Sequence, residues 1–253
     1  MDDKLFHKII DDLTYIPQTH KFLVTLARIN EPLLDKRLEV FSKHITKALP
    51  NASHIFWSNG STLVTGKFEW MGEIEGSTLV ISLNSIDEKN HTAMMGFGLE
   101  KVLKNLDYLH LLKEKNLFGA NVILNAPYQS AALSVEFIKF CKNRWPLFNP
   151  NVLPFFKWQG QVSAGEKERQ LSKFFIDTAA EIATLGCGQW FDIHVLANGQ
   201  ITKCCIDEAG YQAEKFSART HSILNLYRKS QHLRDRIPSR GGVSSCQTCT
   251  HLG

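Results

Sequence analysis

The chain has no run of eighteen or more apolar residues, which excludes a membrane-spanning helix at sequence level. It lacks a concentrated basic stripe. A net charge of +4 over 253 residues leaves no electrostatic footprint for nucleic acid. The start, MDDKLFHKIIDDL, is acidic and amphipathic, without the basic and apolar regions of a signal peptide, so a cytoplasmic location is expected. Neither G-x-G-x-x-G nor G-x-x-x-x-G-K-[ST] occurs, which leaves the usual nucleotide-binding loops without support. No internal repeat and no low-complexity tract is found. Hydrophobic residues at 43% suffice for a buried core, so disorder is not expected.

What is present begins as alternating elements. Leu5, Ile9 and Leu13, with Phe6 and Ile10, predict a helix over residues 1–13. Short apolar runs predict strands at Phe22–Ala27, His54–Trp57, Thr78–Asn84, Asn121–Ala126 and around Val152. Helices are expected from Pro32 to about Leu49, over about Gly98–Lys115 and over Ser130–Asn143. Strands alternating with helices imply parallel βαβ units, in either a doubly wound open sheet or an incomplete barrel. Residues 161–185 read as a connector helix. Beyond it, Phe191–Leu196 alternates, Asn198-Gly199 signals a two-residue hairpin turn, and Gln200–Cys204 returns; a helix starts at Ser222.

The chemistry lies in the cysteines: Cys187, Gly199, Cys204 with Cys205 beside it, and Cys246-Gln-Thr-Cys249, or C-x11-G-x4-C followed by C-x2-C. In a reducing compartment such a set points to metal rather than disulfides. Cys187, Cys204, Cys246 and Cys249 could hold one zinc ion or one iron–sulfur cluster. Only one C-x2-C knuckle is present, which leans toward a cluster. Cys204 and Cys205 face opposite sides of a strand; the spacing selects Cys204. Cys141, on an apolar helix, reads as a small core residue. His194 and His251 are minor candidate ligands. Trp57, Trp145, Trp158 and Trp190 are core candidates before they are pocket walls.

The C-x11-G-x4-C … C-x2-C pattern resembles the auxiliary-cluster region, SPASM or the shorter twitch domain, of radical S-adenosylmethionine enzymes. Further pieces follow in order: Asn30-Glu31-Pro32-Leu33-Leu34 resembles that family's G-E-P-L-L, Ser58-Asn59-Gly60 its T-N-G, and Ile81-Ser82-Leu83-Asn84 its I-S-L-D. The resemblance implies an α/β fold: an incomplete (β/α) barrel over 1–160, a connector over 161–185, and a hairpin-plus-helix iron–sulfur domain over 186–253. It implies one auxiliary [4Fe–4S] cluster on Cys187, Cys204, Cys246 and Cys249. It implies S-adenosylmethionine contacts from Glu31, Ser82 and Asn84, with Asn59 in the same mouth.

The family's C-x3-C-x2-C motif does not occur before Cys187. On this resemblance the chain is expected to be an N-terminally truncated enzyme, inactive as written, that uses S-adenosylmethionine only once the missing segment is restored. The alternative is a non-enzymatic iron–sulfur or zinc protein for electron transfer or partner binding. Lys229, Arg234, Arg236 and Arg240 form a basic stretch that could dock an acidic flavodoxin- or ferredoxin-like electron donor. No nucleic acid or membrane partner is expected.

Overall fold

The computed structural model describes residues 1–27, 30–153, 192–202, 216–229 and 231. The connector at 161–185, Cys187, Cys204, Cys205, Cys246, Cys249, Trp158, Trp190, Arg234, Arg236, Arg240 and His251 lie outside them. The chain divides into two units, Ile16–Pro154 and Met1–Tyr15 with Phe155–Gly253.

The first unit holds β1 (Phe22–Val24), α2 (Leu38–Ala48), β2 (Ala52–Ser58), β3 (Thr78–Ser82), α3 (Glu88–Met95), α4 (Leu99–Glu114), β4 (Asn121–Pro127), α5 (Ala131–Arg144) and β5 (Asn149–Leu153); α1 (Asp3–Leu13) belongs to the second unit. All strand pairings are parallel, in the spatial order β1-β2-β3-β4-β5. That order decides between the two sheets left open by the sequence. A doubly wound sheet reverses direction at a switch point, whereas strands laid down in chain order with right-handed crossovers keep every helix on one face and curl toward a barrel.

The burial pattern agrees with one covered face. Phe56, Leu79, Ile81, Leu83, Val122, Leu124 and Ala126 share one side by register and alternation. They form a single core with Val102, Leu106 and Leu109 of α4 and Phe137 and Cys141 of α5. On the same side His54 shares a hydrogen bond at 3.1 Å with Thr46 of α2. The opposite side carries Leu23, Trp57 and Leu153, which are 66%, 40% and 37% exposed. Trp145 is fully in the core, against Phe140 and Phe148.

Several elements differ from the sequence reading: β1 ends at Val24 rather than Ala27, and β3 at Ser82 rather than Asn84. The helix expected from Pro32 to Leu49 is two pieces. A 3-10 turn over Pro32–Leu34 stops at Asp35, which is extended at φ −85°, ψ 112°. The Asp35 carboxylate accepts from the Arg37 backbone N–H and guanidinium, and this local bonding competes with helix continuation. Helix α3 was not expected, because it has almost no apolar stripe and buries only His91. Asp87 caps its start, and Gly96, at φ +77°, ends it with an N–H bond to the Thr92 carbonyl. The last strand begins at Asn149, earlier than expected.

The second unit holds α1, the antiparallel hairpin β6 (His194–Val195) and β7 (Ile201–Thr202), and α6 (Ile223–Lys229). The hairpin loop has three residues rather than two. Leu196 accepts from the Gly199 N–H and donates to the Gln200 carbonyl, and Gly199 takes φ +93°. No helix among the described residues is long and apolar enough to cross a membrane.

Candidate functional site at the carboxyl ends of the strands

In a singly wound parallel sheet the residues just beyond each strand's carboxyl end gather in one rim, and loops rather than core define its chemistry. Glu31 follows β1, and its side chain reaches across to the end of β2. One carboxylate oxygen accepts from the hydroxyls of Ser58 (3.0 Å) and Thr62 (2.8 Å), and the other from the Asn59 N–H (2.8 Å). Glu31 therefore does not serve the 3-10 turn it precedes, which has no side-chain cap. A carboxylate has about four acceptor sites, so about one remains for a further donor.

The Ser58-Asn59-Gly60 turn that supplies these donors is tightly determined. The Asn59 side-chain oxygen accepts from the backbone N–H and hydroxyl of Ser61. Gly60 sits at φ +78°, where a Cβ would lie 2.8 Å from Val102 Cγ1 and 3.3 Å from Ile81 Cγ2. Only glycine fits there without strain. The Gly60 carbonyl accepts from the Asn105 amide on α4 at 2.8 Å, which ties the turn to the core helix.

At the next strand ends, Ser82 closes β3 and lies in register with Asn125 of β4, which in turn faces Asn151 of β5. The Asn151 amide donates to the Asn125 side-chain oxygen at 3.3 Å. Ser82, Asn125 and Asn151 thus form a polar row on the face opposite the core. The Ser82 hydroxyl has no hydrogen-bond partner among the described residues. Asn84 adopts φ +61°, unusual for a residue with a side chain. Its N–H donates to the Asn125 carbonyl (2.9 Å), and its amide donates to the Met95 thioether (2.9 Å).

Asn84 also borders a cavity of about 280 Å³ between the loops after β3 and β4 and helix α5. Asp87, Asn90, Gln129 and Glu136 give it polar walls, while Phe137 and Phe140 give it an apolar one. Its size suits a small molecule or part of one.

Glu31, Ser82 and Asn84 therefore all sit on this rim, in two hydrogen-bonded groups: Glu31 with Ser58, Asn59 and Thr62, and Asn84 with Asn125 and Met95. No hydrogen bond joins the two groups among the described residues. Thr62, Asn125 and Asn151 were not singled out by sequence. Asn125 could have been, as a lone amide within the apolar run Val-Ile-Leu at the same alternation as Ser82.

No three His, Cys, Asp or Glu side chains among the described residues group as a metal site, and the four cysteines of the C-terminal pattern lie outside those residues. Lys229 lies over the Phe216 ring at 3.7 Å, a cation–π contact that holds its ammonium against the second unit.

No family model matches the chain, and no curated protein does. Solved structures do. SuiB from Streptococcus suis matches with a TM-score of 0.64 and 16% identity over 98% of this chain, which spans 64% of SuiB's length. BtrN in complex with AdoMet and 2-DOIA matches at 0.54 and 15%, over 100% of this chain and 81% of that one. Native anSMEcpe with bound AdoMet and the Kp18Cys peptide matches at 0.62 and 12%, over 92% and 74%. The likeness shows that this chain has the fold of these structures.

Proposed function

We propose that this chain is an iron–sulfur protein of the radical S-adenosylmethionine type that carries one auxiliary [4Fe–4S] cluster on Cys187, Cys204, Cys246 and Cys249. The observation that carries this reading is the pairing of two features in one chain. A sequentially ordered parallel sheet presents Glu31, Ser82 and Asn84 at its carboxyl rim, and a separate hairpin carries Gly199 five residues before Cys204. BtrN and anSMEcpe, which share the fold, have AdoMet bound in their structures.

The described residues of the rim are compatible with AdoMet. On the rim, Glu31 keeps about one acceptor site open and can take an ammonium N–H. The unpartnered Ser82 hydroxyl and the row of Asn125 and Asn151 can meet hydroxyls of a ribose. At the hairpin, β7 ends at Thr202, and Cys204 follows two residues later in the sequence. A [4Fe–4S] cluster, when bound, supplies one-electron chemistry. The chain's own contribution is to hold polar groups on the rim and thiolates at the hairpin end.

A second reading is favoured by one sequence fact: these 253 residues contain no C-x3-C-x2-C. In that reading the chain is a non-enzymatic iron–sulfur or zinc protein that transfers electrons or binds a partner. A cysteine scan under anaerobic reconstitution tests the cluster assignment. Cys187→Ser, Cys204→Ser, Cys246→Ser and Cys249→Ser should each lower bound iron, while Cys141→Ser and Cys205→Ser retain it. Equal retention by all six overturns the assignment. AdoMet titrated by calorimetry into a chain with a C-x3-C-x2-C segment restored ahead of Met1 then separates the readings. Binding weakened by Glu31→Gln supports the first; no heat supports the second.

A further inference from the structure

We infer that α1, at the opposite end of the sequence from the cysteine pattern, is the positioning element of the G-x4-C hairpin, with Leu5 and Asp12 as its positioning residues. The proposal rests on the cluster reading above and extends it to residues that no part of that reading assigns.

Three independent contacts converge within this unit. First, Leu5 packs in one buried cluster with Ile201 of β7, Ala218, and Ile223 and Leu226 of α6. Its Cδ2 lies close enough to Gly199 that a Cβ there would meet it at 3.3 Å, with Arg219 and Ser217 closer still. The glycine of the motif is thus demanded twice, by φ +93° and by the close approach of neighbouring side chains. Second, Asp12 caps α6. Its carboxylate accepts from the Ile223 N–H at 3.0 Å and from Lys8 Nζ at 2.8 Å, and Lys8 also donates to the His221 carbonyl at 2.9 Å. Third, Arg219 bridges the hairpin turn to the start of α1. Its Nε donates to the Asn198 carbonyl at 2.9 Å and its Nη2 to Asp2, the residue that caps α1.

Among the described residues the hairpin has two ladder pairs, His194 with Thr202 and Val195 with Ile201. A two-stranded ribbon of that length is not stable alone in water. It is held instead by α1 on one side and by the Ser217–Ala218 segment, which bonds back to the Gly199 carbonyl, on the other. Cys204, a ligand in the reading above, follows Thr202 by two residues in the sequence.

The test uses the full chain in two states. In the unloaded chain, Leu5→Ala and Asp12→Ala should raise amide exchange over residues 192–202 by at least about tenfold. The conservative Leu5→Met and Asp12→Asn, which keep the packing and the Ile223 acceptor, should stay near wild type. Val102→Ala, a truncation in the core of the other unit, should leave residues 192–202 unchanged. After anaerobic loading with iron and sulfide, Leu5→Ala should shift the electron paramagnetic resonance spectrum of the reduced cluster, and Leu5→Met should restore it. Unchanged exchange in both alanine variants overturns the proposal. Altered exchange with an unaltered spectrum also overturns it, because α1 would then support the hairpin without positioning the ligand. A wild-type chain that holds no iron removes the cluster reading instead, and the exchange arm alone then decides whether α1 holds the hairpin.

Discussion

Gly60→Ala perturbs the point where rim and core meet. Two effects add. Placing a Cβ on a backbone at φ +78° costs about 1–2 kcal/mol, because the left-handed region crowds the side chain against the carbonyl. The new methyl would also stand 2.8 Å from Val102 Cγ1 and 3.3 Å from Ile81 Cγ2, both fully buried. Neither can swing toward solvent, so overpacking adds about 1–3 kcal/mol. The expected loss is about 2–5 kcal/mol in urea unfolding of the full chain. Gly66→Ala is the internal control: φ is +81°, but nothing lies within 4 Å, so only the backbone part of about 1–2 kcal/mol applies. The same substitution should loosen the Asn59 N–H held by Glu31, which amide exchange at Asn59 reads directly. Equal losses in the two variants would mean that the core around Val102 yields freely and that no overpacking arises at Gly60.

Three further outcomes follow from the same contacts. Glu31→Gln replaces an acceptor-only group with one that presents an N–H to at least one of its three donors; a loss of about 1.5–3 kcal/mol is expected from chemical denaturation, and none would mean the network is ornamental. Burial lowers the pKa of His54 from its ordinary 6.5, so the fold keeps it neutral. The unfolded chain then binds more protons below about pH 6.5, and stability should be full above that pH and fall as pH drops toward the depressed folded value. His54→Gln should flatten that slope in a series of unfolding curves against pH. Burial pushes the Cys141 thiol up to about 12, so iodoacetamide should label Cys141 only after unfolding, as peptide mapping would show.

The sheet was legible in the sequence because each strand, from Phe22–Val24 to Asn121–Pro127, is a short apolar run bounded by turn residues, as a helix-covered parallel strand must be. Helix α4 was legible from its stripe of Val102, Leu106 and Leu109. Strand order was not, because periodicity says nothing about which neighbour a strand chooses; the chain-order pairing came from the structure. Helix α3 escaped because its evidence lies in its ends, Asp87 and Gly96, rather than in its face. On the rim, the sequence located Glu31, Ser82 and Asn84 through a resemblance, but not the partners that use up most of the Glu31 carboxylate. Ser58 and Thr62 lie 27 and 31 residues from Glu31, and only parallel pairing of β1 with β2 brings them to it. The contact of Leu5 with the hairpin cluster spans most of the chain and leaves no local pattern at all.

An iron–sulfur cluster on Cys187, Cys204, Cys246 and Cys249 is what the proposed function stands on. Metal and acid-labile sulfide analysis of the anaerobically purified and reconstituted chain tests it most directly. About four iron and four sulfide per chain are expected, with zinc well below one. One zinc per chain with no sulfide, or no retained metal at all, would contradict it.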